Sequence, residues 1–292
     1  LAEGDIVGVA APAGPFDETR FKGGLERLES MGLRPRYPQE IFTQDGFLAG
    51  SDQSRAETIN ALLADEETKA IFCARGGYGS MRIMNRINLD LIKLRPKIMI
   101  GFSDVTALLL ALHQAVGLVT FHGPVITSLS QADEETVLAL KKLLLRQGVF
   151  PFALSDTRVI LPGRAEGPLI GGNLTILIHL LATPHLPDLD RAVLFLEDTG
   201  EPPYRLDRML TTLKLSGILK RCSGLIFGQF LDCGTHDEVH RVIAGNLADF
   251  HGPVVADFPI GHGSRNITLP IGPRAILDTR AGCLDLAEPY LT

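Results

Sequence analysis

Cysteine is scarce and scattered in this chain: Cys73, Cys222, Cys233 and Cys283 form no C-x-x-C pair. That spacing supports neither a disulfide framework nor a zinc site, and it fits a reducing compartment. Basic residues are in deficit. Lys and Arg number 28 against 34 acidic residues, a net charge of −6, which argues against nucleic acid as a partner. Long hydrophobic runs are missing too. The longest apolar tract, near Ala107 to Val119, contains His113 and Gln114, and no stretch is fit to span a bilayer. No leader peptide is visible, since the opening L-A-E-G-D-I-V-G-V-A reads as a first strand. A cytoplasmic protein is expected. Nor is there an internal repeat or a low-complexity tract.

What is there suits a packed core. Of 292 residues, 45% are hydrophobic and 21% charged, enough for one large domain or two ordinary ones. Strand and helix patterns alternate from Ile6–Ala10 onward. The turn after this first strand, A-A-P-A-G-P-F-D, lacks both G-x-G-x-x-G and G-x-x-x-x-G-K-[ST], so dinucleotide binding is not expected. Residues 1–147 read as a doubly wound, mostly parallel α/β sheet. The segment 148–165, interrupted by Pro151 and Pro162, reads as a linker. Residues 166–292 read as a second, mixed α/β domain that ends in β-hairpins.

Chemistry gathers at three places. In K-I-M-I-G-F-S-D-V-T, from Lys97 to Thr106, an apolar strand turns at Gly101 into a helix carrying Val105, Leu108, Leu109 and Leu112. Ser103 at that turn has the setting of a nucleophile elbow, although Val105 stands where the second glycine of G-x-S-x-G would be. Ser-Asp ahead of an apolar helix is also an ordinary N-cap signal. The loop Arg75-Gly76-Gly77-Tyr78-Gly79-Ser80 follows another strand. Three glycines in four residues mean a sharp turn or a close approach, and such a loop can aim N–H groups at an oxyanion. Both loops follow strand carboxyl ends, where doubly wound sheets bind ligands. Ser80 is the weaker nucleophile, since it reads as a helix start.

Among eight histidines, His262 has the best setting for a base, on a tight loop between Gly261 and Gly263. His122, at a strand end, is the next choice. Glu197, closing the apolar strand V-L-F-L, is placed to orient an imidazole, with Asp198 as the neighbouring alternative. By spacing alone, Ser103, Glu197 and His262 are one triad among several. His236 and His240 lie four apart in T-H-D-E-V-H, but aspartate stands where H-E-x-x-H has glutamate. A helix start capped by Thr235, with an acidic first turn, accounts for that stretch without metal.

Six motifs in order resemble the LD-carboxypeptidases, also called muramoyltetrapeptide carboxypeptidases, whose relatives include microcin C immunity peptidases. They are R-G-G-Y-G-S, I-G-F-S-D-V-T, the G-P within His122–Ile126, G-G-N-L at Gly171–Leu174, L-E-D at Leu196–Asp198, and H-G ahead of T-L-P-I-G. The match runs from the first strand nearly to the last residue. The resemblance implies a flavodoxin-like first domain, a second domain of swivelling β/β/α type, and a homodimer. It implies a serine peptidase with Ser103 as nucleophile, Glu197 as orienter and His262 as base. Oxyanion donors would be the backbone amides of Asp104 and Gly77. The substrate would be a cytoplasmic murein tetrapeptide, cut between diaminopimelate and terminal D-Ala, with no metal or cofactor. An exopeptidase must also recognise a free carboxylate, for which Arg75 is the candidate.

Three other readings compete. The first is a microcin-type immunity peptidase, which an aromatic or basic insertion able to grip a nucleobase would favour; none is seen, and tryptophan is absent. The others are a non-catalytic wall-peptide binder and a metallohydrolase using His236 and His240.

Overall fold

Apolar runs such as Ile6–Ala10 and Val193–Thr199 become buried strands. The computed structural model describes residues 1–148 and 150–290; Val149, inside the expected linker, lies outside the described residues. The first strands are β1 (Ile6–Ala10), β2 (Arg34–Arg36), β3 (Thr68–Cys73), β4 (Ile98–Gly101) and β5 (Thr120–His122). Next come β6 (Phe152–Ala153), β7 (Arg158–Leu161), β8 (Arg164–Asn173), β9 (Val193–Thr199) and β10 (Gly224–Leu231). The last are β11 (Val254–Ala256), β12 (Leu269–Ile271), β13 (Arg274–Asp278) and β14 (Cys283–Leu286). The chain divides into two compact units: Leu1–Val149 with Asn266–Leu269, and Phe150–Arg265 with Pro270–Thr292.

The first unit is a doubly wound sheet. β1 pairs in parallel with β2 and β3, β3 with β4, and β4 with β5. The order 2-1-3-4-5 is the flavodoxin-like one, with β12 added beside β5. Parallel strands buried on both faces need continuous apolar sequence, and Val7, Val9, Ala70, Ile71, Phe72 and Ile100 supply it at zero or near-zero exposure. Its longer helices Glu18–Ser30, Asp52–Ala64 and Glu134–Leu144 start on side-chain caps that the sequence carries. Asp17 accepts from the Arg20 amide at 2.8 Å, Ser51 from Ser54 at 3.2 Å, and Asp133 from Thr136 at 2.8 Å. Gly8 lets one of these helices, Asp52–Ala64, lie on β1, since a Cβ there would come within 2.6 Å of Leu62. The segment Asn266–Leu269 is fastened into this unit by the Asn266 amide, which donates to Thr136 Oγ1 at 3.0 Å.

The second unit is built on an eight-stranded mixed sheet of order β6-β14-β13-β8-β9-β10-β11-β7. β8, β9, β10 and β11 run parallel, while β13, β14 and β6 form an antiparallel extension and β7 pairs antiparallel with β11. The segment expected as a linker thus carries β6, β7 and the first residues of β8. Arg158–Leu161 is a half-exposed edge strand whose apolar run, Val159 to Leu161, is only three residues long. The helix that the Thr235 cap opens runs from His236 to Gly245, where Asn246 closes it. Among the described residues, no helix is long and apolar enough to cross a membrane.

Candidate active site

The turn after β4 is strained where the chemistry would need it. Ser103 has φ +61°, in the left-handed region that non-glycine residues avoid. Phe102 before it is extended, and the Val105 amide donates to the Phe102 carbonyl at 3.2 Å, closing a short 3₁₀ turn that opens the helix Thr106–Val116. Gly101 is needed for packing, since a Cβ there would come within 2.7 Å of Val105. The valine that replaces an elbow's second glycine therefore fills the space that Gly101 leaves.

The glycine loop after β3 lies directly against this serine. A Cβ on Gly76 would sit 2.8 Å from Ser103 Cβ and 3.0 Å from its Oγ. Gly77 and Gly79 have φ of +105° and +131°, so the turn needs residues without a Cβ. The Asp104 side chain ties the two loops together. Buried, it accepts from the Ser80 amide at 2.8 Å. Burial pushes its carboxyl above the usual carboxylate range, against the pull of that amide. Arg75 is exposed, and its guanidinium donates to the Pro15 carbonyl in the loop after β1. His122, the second-choice base, is fully buried, its ring in a T-shaped contact with Phe102.

In the second unit, Glu197 and His262 meet. Nδ1 of His262 lies 2.7 Å from Glu197 Oε2, with the histidine side chain 16% exposed and the glutamate fully buried. The flanking glycines make this approach possible. Gly261 has φ +119°, and a Cβ on it would come within 2.9 Å of the Glu197 carboxylate. A Cβ on Gly263 would collide with Gln229 Oε1, which accepts from the Gly263 amide at 3.0 Å. Burial on its own would push the imidazole pKa down. The hydrogen bond and charge of Glu197, helped by the charge of Asp198, raise it above the ordinary value. Asp198 turns elsewhere: it accepts from the amide and hydroxyl of Thr175 at 2.9 and 2.8 Å, at the start of the helix Leu174–Leu180. Burial pushes its carboxyl up as well.

Three supporting residues escaped the sequence reading. Arg55, 2% exposed, donates to the carbonyls of Pro12, Gly50 and Gly79 and so joins three loops. Its position four before Ile59 and seven before Leu62, on the helix's apolar stripe, was the available signal. Asn173, within G-G-N-L, donates to Asp198 at 3.0 Å and to Glu197 at 3.4 Å. Gln229 had no signal, because its partner is 34 positions away.

Profiles of known families match both parts of the chain. The LD-carboxypeptidase N-terminal domain matches residues 7–123, and the LD-carboxypeptidase C-terminal domain matches residues 166–277. A protein of Bacillus subtilis named "Probable murein peptide carboxypeptidase" is 38% identical over 96% of this chain and 90% of its own length. The solved structure of MccF in complex with glutamyl sulfamoyl guanosine superposes with a TM-score of 0.94, at 26% identity, covering 100% of this chain and 98% of that one. The crystal structure of muramoyltetrapeptide carboxypeptidase from Oxalobacter formigenes gives 0.83 at 28% identity, covering 96% and 97%.

Proposed function

The chain belongs to the LD-carboxypeptidase family, and from that premise we propose that it is a serine peptidase releasing the terminal D-Ala of murein tetrapeptides. The bond cut joins diaminopimelate to D-Ala, and the setting is wall recycling in the cytoplasm by a homodimer. The 2.7 Å contact between His262 Nδ1 and Glu197 carries the reading. A carboxylate held on Nδ1 leaves Nε2 as the nitrogen that takes and returns a proton.

Ser103 Oγ attacks the carbonyl carbon while His262 Nε2 takes its proton. Glu197 holds the tautomer and stabilises the imidazolium that forms. The amides of Asp104 and Gly77 receive the oxyanion; losing one such donor costs about 2.7–4 kcal/mol. His262 then protonates the leaving D-alanine, and water resolves the acyl-enzyme by the same steps in reverse. Arg75, at the exposed edge of the glycine loop, receives the free carboxylate. The family's naming supports a peptidase over a non-catalytic binder. Neither a metal nor an organic cofactor has a step in this chemistry.

Incubation with L-Ala-γ-D-Glu-meso-diaminopimelate-D-Ala, followed by mass spectrometry, tests it. Loss of one alanine is expected with the wild type, and a fall of at least about 10⁴-fold with Ser103→Ala, whose fold survives. Full activity in that variant would sink the assignment. The likeness to MccF over the whole chain favours a second reading, an immunity peptidase acting on peptidyl-nucleotide analogues. The same assay with an aminoacyl sulfamoyl nucleoside decides between them by the ratio of kcat/KM values.

A further inference from the structure

We infer that His236, His240 and Asp257 form a site for a divalent transition-metal ion of the zinc class, separate from the peptidase machinery. The inference stands apart from the proposed peptidase activity.

The two histidines are four residues apart at the start of the helix His236–Gly245, which puts them on one face. The helix start is fixed by a capping box. Thr235 Oγ1 accepts from the Glu238 amide, and the Glu238 carboxylate accepts from the Thr235 amide at 2.8 Å. The third residue comes from another element. Asp257 directly follows β11 and has φ +60°, a strained conformation for a side chain that turns the carboxylate toward the helix. Nε2 of His236 and Nε2 of His240 each lie 3.0 Å from the same Asp257 oxygen.

All three candidate ligand atoms fall within 4.8 Å of one another. In a tetrahedral zinc site, bonds of about 2.0–2.1 Å place neighbouring ligand atoms about 3.4 Å apart. An ion fits between these atoms when the two 3.0 Å histidine–aspartate contacts open slightly and the widest pair closes from 4.8 Å to about 3.4 Å, a movement that the exposed His236 side chain is free to make. Two imidazoles and one carboxylate suit zinc or cobalt better than magnesium or calcium, which take oxygen alone. The ligands face a cavity of about 220 Å³, also lined by Gly228, Phe230 and Asp232, with room for water as fourth ligand. His240 is nearly buried while His236 is exposed, so the ion has a rigid floor and an open entry.

Arg158 sharpens the inference. Its guanidinium donates to His240 Nδ1 at 2.8 Å. That bond requires the proton of a neutral His240 to sit on Nε2, where it points at Asp257. A histidine that ligates through Nε2 carries its proton on Nδ1 and needs an acceptor there. Metal binding moves the proton across the ring and releases the exposed arginine. Once bound, the ion clips the helix start to the end of β11, from which the chain runs on to His262.

Cobalt titration of the full chain, read by the visible absorption of tetrahedral cobalt and by zinc competition, tests this. One equivalent should bind in the micromolar range or tighter. His236→Ala and Asp257→Asn should each weaken binding by at least about tenfold. Arg158→Gln should tighten it by about tenfold, because the amide oxygen accepts from Nδ1. His236 is exposed and asparagine tolerates left-handed backbone, so both variants should fold. Wild-type binding no tighter than that of the His236→Ala/Asp257→Asn double variant would overturn the site. So would binding that disappears in Cys283→Ser instead.

Discussion

The two halves of the proposed triad are assembled by different means. Around Ser103 the structure is local backbone: one strained residue, glycines that admit close approach, and a short 3₁₀ turn. Around His262 it is long-range side-chain contact, with Glu197 reached across 65 positions and Gln229 across 34. A backbone site depends on shape and tolerates little added volume. A side-chain site depends on charge and tolerates isosteric change in geometry but not in ionisation.

Glu197→Gln tests the charge half and should have a larger effect than any change to the glycine loop. Loss of the carboxylate should lower kcat by about 10³-fold, since the tautomer is no longer enforced. A pH profile sharpens this. The proposed base, His262, can take a proton only when neutral, and its folded pKa is raised, so on that proposal the acid limb of kcat/KM should lie above the ordinary imidazole range. In Glu197→Gln that limb should move to lower pH; an unmoved limb would mean that Glu197 does not face the working imidazole. Stability follows the same pair. A raised folded pKa gives stabilisation that is fully present below the unfolded imidazole value and is lost as pH rises through the folded one. The variant should therefore lose most stability, relative to wild type, on the acid side, which denaturation at several pH values would show.

Gly76→Ala tests the shape half. The added methyl meets Ser103 Cβ, which cannot swing away as the end of a long side chain can. A shift of the hydroxyl should lower kcat by about 10- to 100-fold while the protein stays folded. Unchanged kinetics would show that the serine's position is not set by this loop. Asp104→Ala should act mainly on stability, lowering it by about 1–3 kcal/mol in urea denaturation, because the buried Ser80 amide loses its acceptor. A near-neutral result would show that this bond does not hold the two loops together.

The same contrast decides what the sequence made legible. The doubly wound, mostly parallel sheet and the glycine loop were readable because apolar runs, caps and glycines act over a few neighbouring residues; the flavodoxin-like order came only with the resemblance. Ser103 stood out for that reason, and Glu197 and His262 stood out as ends of recognisable local patterns. Their meeting was not readable from spacing; six motifs in order suggested it by resemblance. Strand β7 was missed because one exposed edge strand has no periodic signature, and Asp257 because a left-handed aspartate looks like any turn residue. Arg55 offered only its place on the apolar stripe, because the Pro12 and Gly79 carbonyls it meets lie 43 and 24 positions away.

The backbone at Ser103 sets folding and activity against each other. Left-handed φ costs a non-glycine residue about 1–2 kcal/mol, a cost glycine largely avoids. Ser103→Gly should therefore be inactive yet about 1 kcal/mol more stable than Ser103→Ala in denaturant titrations. A library randomised at this position and selected only for folding should drift toward glycine. Serine would return only where selection also asks for turnover, so the residue here reports whether a lineage still uses the reaction.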